Sequence, residues 1–125
     1  PTEINALLSS VRSMYPELPI IGVFQPHLFS RTKDFAYEFA QALSALDQLI
    51  LLPIYPAREL PIPGVTSEWL CDITPLQSKR VLHAHEVLIA LKDVKKGVVL
   101  TIGAGDIDRL VGPITQLFQI QIKHL

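Results

Sequence analysis

The chain has a single cysteine, one tryptophan, one methionine and almost no net charge. Cys71 stands alone, so no internal disulfide is possible, and it reads as a small buried hydrophobe rather than a reactive thiol. Eleven basic and twelve acidic residues give a net charge of −1, which supplies no electrostatic reason to approach nucleic acid or an anionic membrane surface. No run of one charge implies a tail. No stretch approaches the ~20 apolar residues of a membrane span, and no signal-peptide pattern is present, so the expected location is cytoplasmic. The phosphate-cradling pattern G-x-x-x-x-G-K-S/T is missing, as is any Ser-His-Asp or Cys-His order suggesting a hydrolase. His83, His85 and Glu86 are the nearest approach to a metal cluster, but no H-E-x-x-H or cysteine pair accompanies them. They read as surface residues, and no metal site is expected. His124, in the tail, is uninformative.

What remains is a chain of 125 residues, 49% hydrophobic and only 18% charged. That is one domain, rich enough in apolar residues for strands covered on both faces. Ile4, Leu7, Leu8 and Val11 recur at helix spacing, predicting a helix over 2–13 that ends before Tyr15-Pro16. A short strand follows at 20–24, then a helix over 31–46 with Phe35, Phe39, Leu43 and Leu46 on its inner face. Leu49-Ile50-Leu51-Leu52 is too short for a helix and reads as a buried strand. A proline-stiffened loop covers 53–65, and Thr66 suits the N-cap of a short helix through Cys71. A weak strand at 80–82, a helix over 84–92 and a buried strand at 98–102 come next. A final helix starts at Asp106, breaks at Gly112-Pro113 and resumes to about residue 120. This alternation predicts an α/β fold: one domain with a mostly parallel, Rossmann-like sheet and helices on both faces.

Three segments hold chemistry. Residues 20–32 run from an apolar strand into a Gln25-Pro26-His27 turn, and Ser30-Arg31-Thr32 opens a helix. In a parallel sheet this junction lies at the carboxyl ends of the strands, where ligands bind. An imidazole and a guanidinium beside helix N–H groups suit a carboxylate. On spacing alone, the plainer reading is that Arg31 is a solvated first-turn residue and His27 a turn residue. A cation in the first turn opposes the helix dipole, a small cost that an anionic ligand would offset. Gly103-Ala104-Gly105-Asp106 follows a strand, but Asp108 stands where a dinucleotide fingerprint requires glycine. The glycines permit a tight turn close to a ligand, and Asp106 can cap the following helix. Tyr55-Pro56-Ala57-Arg58-Glu59 lies in the stiff loop, where Arg58 and Glu59 form a surface ion pair on the plainest reading.

Together with Pro1-Thr2-Glu3-Ile4, these segments occur in the same order as in the C-terminal domain of the Mur ligase family, which the chain resembles nearly end to end. The resemblance implies a fragment of a cytoplasmic, ATP-dependent ligase that joins L-alanine to UDP-N-acetylmuramate in peptidoglycan synthesis. Missing from it are the N-terminal UDP-sugar domain and the central ATPase domain. ATP and Mg2+ would serve the full-length enzyme through that central domain, activating the muramoyl carboxyl as an acyl phosphate. By the same resemblance His27 and Arg31 bind the amino acid, with Arg31 gripping its carboxylate, and no residue of the fragment is catalytic. Gln25, Tyr55, Arg58, Glu59, Gly103, Ala104, Gly105 and Asp106 support the cleft. Many relatives carry Arg directly after the His; Leu28 stands there in this chain, so Arg31 carries more of the task. The fragment alone is expected to be inactive and to bind no cofactor. The resemblance also puts a strand before Pro1, whose loss would leave the strand at 20–24 unpaired on one side. Self-association through that edge is expected, or cover from the alternating tail Phe118-Gln119-Ile120-Gln121-Ile122. Two other readings stay open. One is a tripeptide-recycling ligase of the same family, which has Glu-Pro-Arg in place of Gln25-Pro26-His27. The other is a free-standing α/β binding module.

Overall fold

The computed structural model describes residues 1–123, with side chains to residue 118. Its centre is β1 (Ile20–Gln25), in which all six residues are buried. The strand is flanked on one side by β2 (Gln48–Leu51) and on the other by β4 (Val98–Gly103), while β3 (Lys79–Val81) pairs with β2. Every pairing is parallel, in the order β3-β2-β1-β4, with Val23 opposite both Ile50 and Thr101. The expected unpaired side of the strand at 20–24 is therefore absent: β4 occupies it. Among the described residues the open edges belong to β3 and β4. Being an edge explains why Val98–Ile102, expected to be buried, is only half-buried.

Alternation along β1 divides the core in two. Ile20 and Phe24 face a cluster with Ile4, Leu8 and Val11 of α1 (Thr2–Met14), Phe39 and Leu43 of α2 (Phe29–Leu43), and Leu70 of α3 (Ser67–Ile73). Ile21 and Val23 face the opposite cluster, with Val87 and Leu91 of α4 (Ala84–Leu91), Ile107 of a 3-10 turn (Asp106–Leu110), and Ile114 of α5 (Val111–Lys123). Right-handed crossovers dictate this division. The chain moves from β1 to β2 to β3 with its helices on one face, then returns across the sheet to β4 with α4 on the other.

Several local expectations are corrected. Leu7 and Phe35 are exposed rather than inward-facing. Phe35 has non-helical backbone angles (φ −116°, ψ 18°) and kinks α2, which turns its ring out of the inner stripe. The last helix begins as a 3-10 turn and becomes α-helical at Val111, so Pro113 falls in a first turn, where a missing N–H costs little. The tail 118–122 lies in α5 and is not a strand covering an edge. His124 lies outside the described residues. Thr66 caps α3 as expected, accepting the Trp69 N–H at 3.0 Å, and Trp69 packs against the first cluster. Cys71 is buried, and desolvation pushes its thiol up from its ordinary value, away from reactivity.

The first turn of the sheet is pinned by Asp47, whose carboxylate accepts the Ile20 N–H at 2.7 Å and Arg12 Nη1 at 3.0 Å. Above it, Gly22 leaves room for the buried Leu46: a Cβ on Gly22 would lie 2.5 Å from Leu46 Cδ1. Gly22→Ala is therefore expected to destabilise the domain by ~1–3 kcal/mol, read from urea unfolding. Leu46→Ala in the same chain should make the second change cheaper than it is alone. An unchanged midpoint for Gly22→Ala would show that Leu46, in the turn after α2, is not this close to the sheet.

Candidate functional site

β1 and β4 are neighbours whose following segments leave in opposite directions, toward α2 on one face and the 3-10 turn on the other. A doubly wound sheet opens a crevice at such a point, beyond the carboxyl ends of the strands. A cavity of about 370 Å³ lies there, within the range of small-molecule sites. Ile4, Phe24, Phe39 and Ile102 form an apolar floor, and Glu3, Gln25, His27 and Arg31 supply polar walls. Gly103 and Ala104 bring the end of β4 to its rim.

Backbone pairing positions the His27 side. Tyr55 N–H donates to the Pro26 carbonyl at 2.9 Å, and Leu28 N–H donates to the Tyr55 carbonyl at 2.8 Å. The His27 and Tyr55 rings stack at 5.7 Å, nearly parallel. Gly105 makes this approach possible, since a Cβ there would lie 2.6 Å from Tyr55 Cγ. Gly103 is tighter still: at φ +113° its Cβ would meet the Gln25 carbonyl oxygen at 2.3 Å.

Gln25 ties the loops together. Only 2% exposed, it donates from Nε2 to the Pro53 carbonyl at 3.1 Å, and its Oε1 accepts the Ile107 N–H at 2.9 Å. The Asp106 carboxylate accepts from the same Nε2 at 3.4 Å, and Asp106 makes no helix-capping bond of its own. Its expected capping role is replaced by a bond to Gln25.

The start of α2 departs most from expectation. Its N-cap, Leu28, has no side-chain oxygen and sits at φ +71°, a backbone conformation rare for a branched side chain. Thr32 holds it there, donating from its backbone N–H at 3.1 Å and its hydroxyl at 2.8 Å to the Leu28 carbonyl. The missing cap comes from Glu59, on the turn closed by its own N–H bond to the Pro56 carbonyl. The Glu59 carboxylate accepts the Ser30 backbone N–H at 3.1 Å and also the Ser30 hydroxyl. These two bonds hold the Glu59 carboxyl below its ordinary value, with smaller help from the Phe29 backbone and the His27 charge. The anion at this helix N-terminus is thus the chain's own carboxylate. The expected trio of imidazole, guanidinium and helix N–H groups reduces to His27 and Arg31.

Arg31 is exposed at the cavity, its guanidinium 5.8 Å from the centre of the Phe35 ring. Among the described residues the one ion pair is Arg12–Asp47, so Arg31 faces the cavity without a carboxylate partner. Arg58 is exposed on the outer turn beside Ala57 (φ +51°) and is not part of the cavity wall. Gln25, His27, Arg31, Gly103 and Ala104 therefore share one cavity, braced from behind by Tyr55, Glu59, Gly105 and Asp106. Glu3 was missed as a wall residue, because periodicity reports only the inward face of α1. The sole signal was its place in the Pro1–Ile4 segment. His83 and His85 stack on each other at 5.7 Å, but among the described residues no three His, Cys, Asp or Glu side chains are grouped to hold a metal.

A parallel sheet with its cavity at the point where adjacent crossovers diverge defines a doubly wound α/β domain. The chain belongs to the Mur ligase family. No family model matches it, and membership rests on similarity over nearly its whole length. It is 53% identical to the UDP-N-acetylmuramate–L-alanine ligase of Flavobacterium psychrophilum over 111 residues, covering 89% of this chain and 25% of that protein. The ligase of the same name from Cytophaga hutchinsonii is 51% identical over 94% of this chain and 25% of its own length. That of Parabacteroides distasonis is 47% identical over 98% of this chain and 27% of its own. The chain thus spans about a quarter of the length of these relatives.

The Glu59 cap has a pH signature. Its carboxyl is lowered in the fold, so the stabilisation is fully present above the unfolded value of about 4.3 and disappears as pH falls through the lower folded value. The stability difference between the native chain and Glu59→Gln should be constant above about pH 5 and shrink in acid, as followed by thermal unfolding over a pH series. A difference independent of pH would show that Ser30 does not favour the ionised carboxylate.

Proposed function

We propose that this chain is the C-terminal domain of an ATP-dependent ligase joining L-alanine to UDP-N-acetylmuramate, and that its cavity holds the amino acid. The observation that carries this reading is Arg31: a guanidinium without a carboxylate partner beside a small apolar floor, at the ligand-binding end of the sheet. The relatives, ligases of UDP-N-acetylmuramate and L-alanine by name, support the same substrates.

The Arg31 guanidinium donates to the carboxylate of alanine in a charge-assisted pair, and the floor of Ile4, Phe24, Phe39 and Ile102 takes the methyl group. The stacked His27 and Tyr55 rings form the adjoining wall and orient the small substrate. The amine is thereby held for attack on the activated muramoyl carboxyl, and closure against the other domains keeps water out. No residue set here fits ATP phosphates or Mg2+, since the chain has no phosphate-cradling loop and the described residues include no cluster of ligands. Both belong, on this reading, to a central ATPase domain, with a UDP-sugar domain before it. The isolated chain is accordingly inactive. Among the described residues no helix is long and apolar enough to cross a membrane, and a cytoplasmic setting follows from the need for ATP and a UDP-sugar. Self-association of the isolated chain would run through the open edge of β4, and light scattering over a concentration series tests it: a monomer at every concentration excludes it.

In the full-length enzyme, Arg31→Ala should raise the KM for L-alanine roughly ten- to a hundredfold, the worth of one charged hydrogen bond. The KM values for ATP and the UDP-sugar should barely change. Equal effects on all three substrates would overturn the assignment of Arg31 to the carboxylate.

A further inference from the structure

We propose that Glu3 receives the ammonium of the bound amino acid while Arg31, on the same cavity, takes its carboxylate, so that the cavity reads its ligand as a zwitterion. This rests on the amino-acid-binding reading above and adds a second charged contact to it. Glu3 and Arg31 line the same cavity of about 370 Å³ but form no ion pair with each other. Two opposite charges held apart over an apolar floor leave space between them for a small molecule carrying the complementary pair.

The other carboxylates around the strand ends are already engaged. Glu59 is bonded to Ser30, and Asp106 to Gln25. Glu3 is the wall carboxylate left to a ligand. Glu3 stands in the first turn of α1, at the rim of the cavity. Its neighbour Ile4, 5% exposed and part of the cavity floor, anchors the backbone from which Glu3 projects. An ammonium presents three donors and a carboxylate only acceptors, so contact between the two is charge-assisted.

The arrangement gives three points of attachment around one carbon: carboxylate to Arg31, ammonium to Glu3 and methyl to the floor. Three unlike contacts distinguish mirror images, so Glu3 also contributes to selection of the L-enantiomer.

The test uses the full-length enzyme. Glu3→Gln, nearly the same in shape, should raise the KM for L-alanine roughly tenfold or more and leave those for ATP and the UDP-sugar unchanged. Glu3→Asp, which keeps the charge, should recover part of the loss. Propionate, an alanine without its ammonium, separates binding from mere structure: as a competitive inhibitor it should bind Glu3→Gln at least as well as the native enzyme. Weakened propionate and alanine binding together, or an unchanged KM for L-alanine, would overturn the role of Glu3. If the native enzyme shows no alanine-dependent turnover, the ligase reading itself fails. If alanine turnover and the Arg31→Ala effect stand while Glu3→Gln is silent, only this inference fails.

Discussion

Pairing of β1 on both sides is the constraint on which the rest of the domain depends. Because β2 and β4 each bond along it, its apolar residues are closed off from water and its side chains are shared between two cores. The same double pairing brings the loops after β1 and β4 side by side while sending their helices to opposite faces. The cavity is the gap that results. Of its polar walls, Gln25 ends β1 and His27 is held to the loop after β2 by backbone bonds, whereas Glu3 and Arg31 stand at the starts of α1 and α2.

Within that frame, side chains that resemble ligand-binding groups are divided between two tasks. Gln25 is buried and fully engaged in joining β1 to the loops after β2 and β4. Glu59 neutralises a helix terminus that its own N-cap residue, Leu28, is chemically unable to satisfy. His27 is stacked, and Arg31 rests near an aromatic ring instead of a carboxylate. A motif that looks uniformly polar in sequence thus resolves into structural ties facing inward and a few charged groups facing the cavity.

Sheet and helix identities were legible because each rests on local chemistry: apolar runs at 49–52 and 98–102, helix spacing in 2–13, and the capping hydroxyl of Thr66. Strand order was not. The pairing of β1 with β4 joins segments far apart in the chain, and no local pattern records it, so the strand at 20–24 was expected to need a neighbour from outside. The half-burial of β4 follows from the same order. The exposure of Phe35 depends on a backbone kink that periodicity assumes away. That His27, Arg31 and the glycine turn would lie together at one end of the sheet was readable from their position after strands. The Glu59 cap was hidden because it reaches α2 from another loop, while Arg58, named with its segment by the resemblance, stands on the outer turn and does not line the cavity.

The register of β1 against β4 also governs the order in which the domain can be assembled. Ile20 sits opposite Val98, so this contact closes most of the chain into a loop, whereas the β1–β2 and β2–β3 contacts close much shorter ones. Long closures are entropically late events, and parallel sheets built on them fold slowly. A chain completed only as far as β3 already has three strands and one apolar layer, yet it lacks the wall formed by Ile102, Gly103 and Ala104. The cavity is therefore completed only by the final strand, and a half-made domain has no closed wall at this end of the sheet.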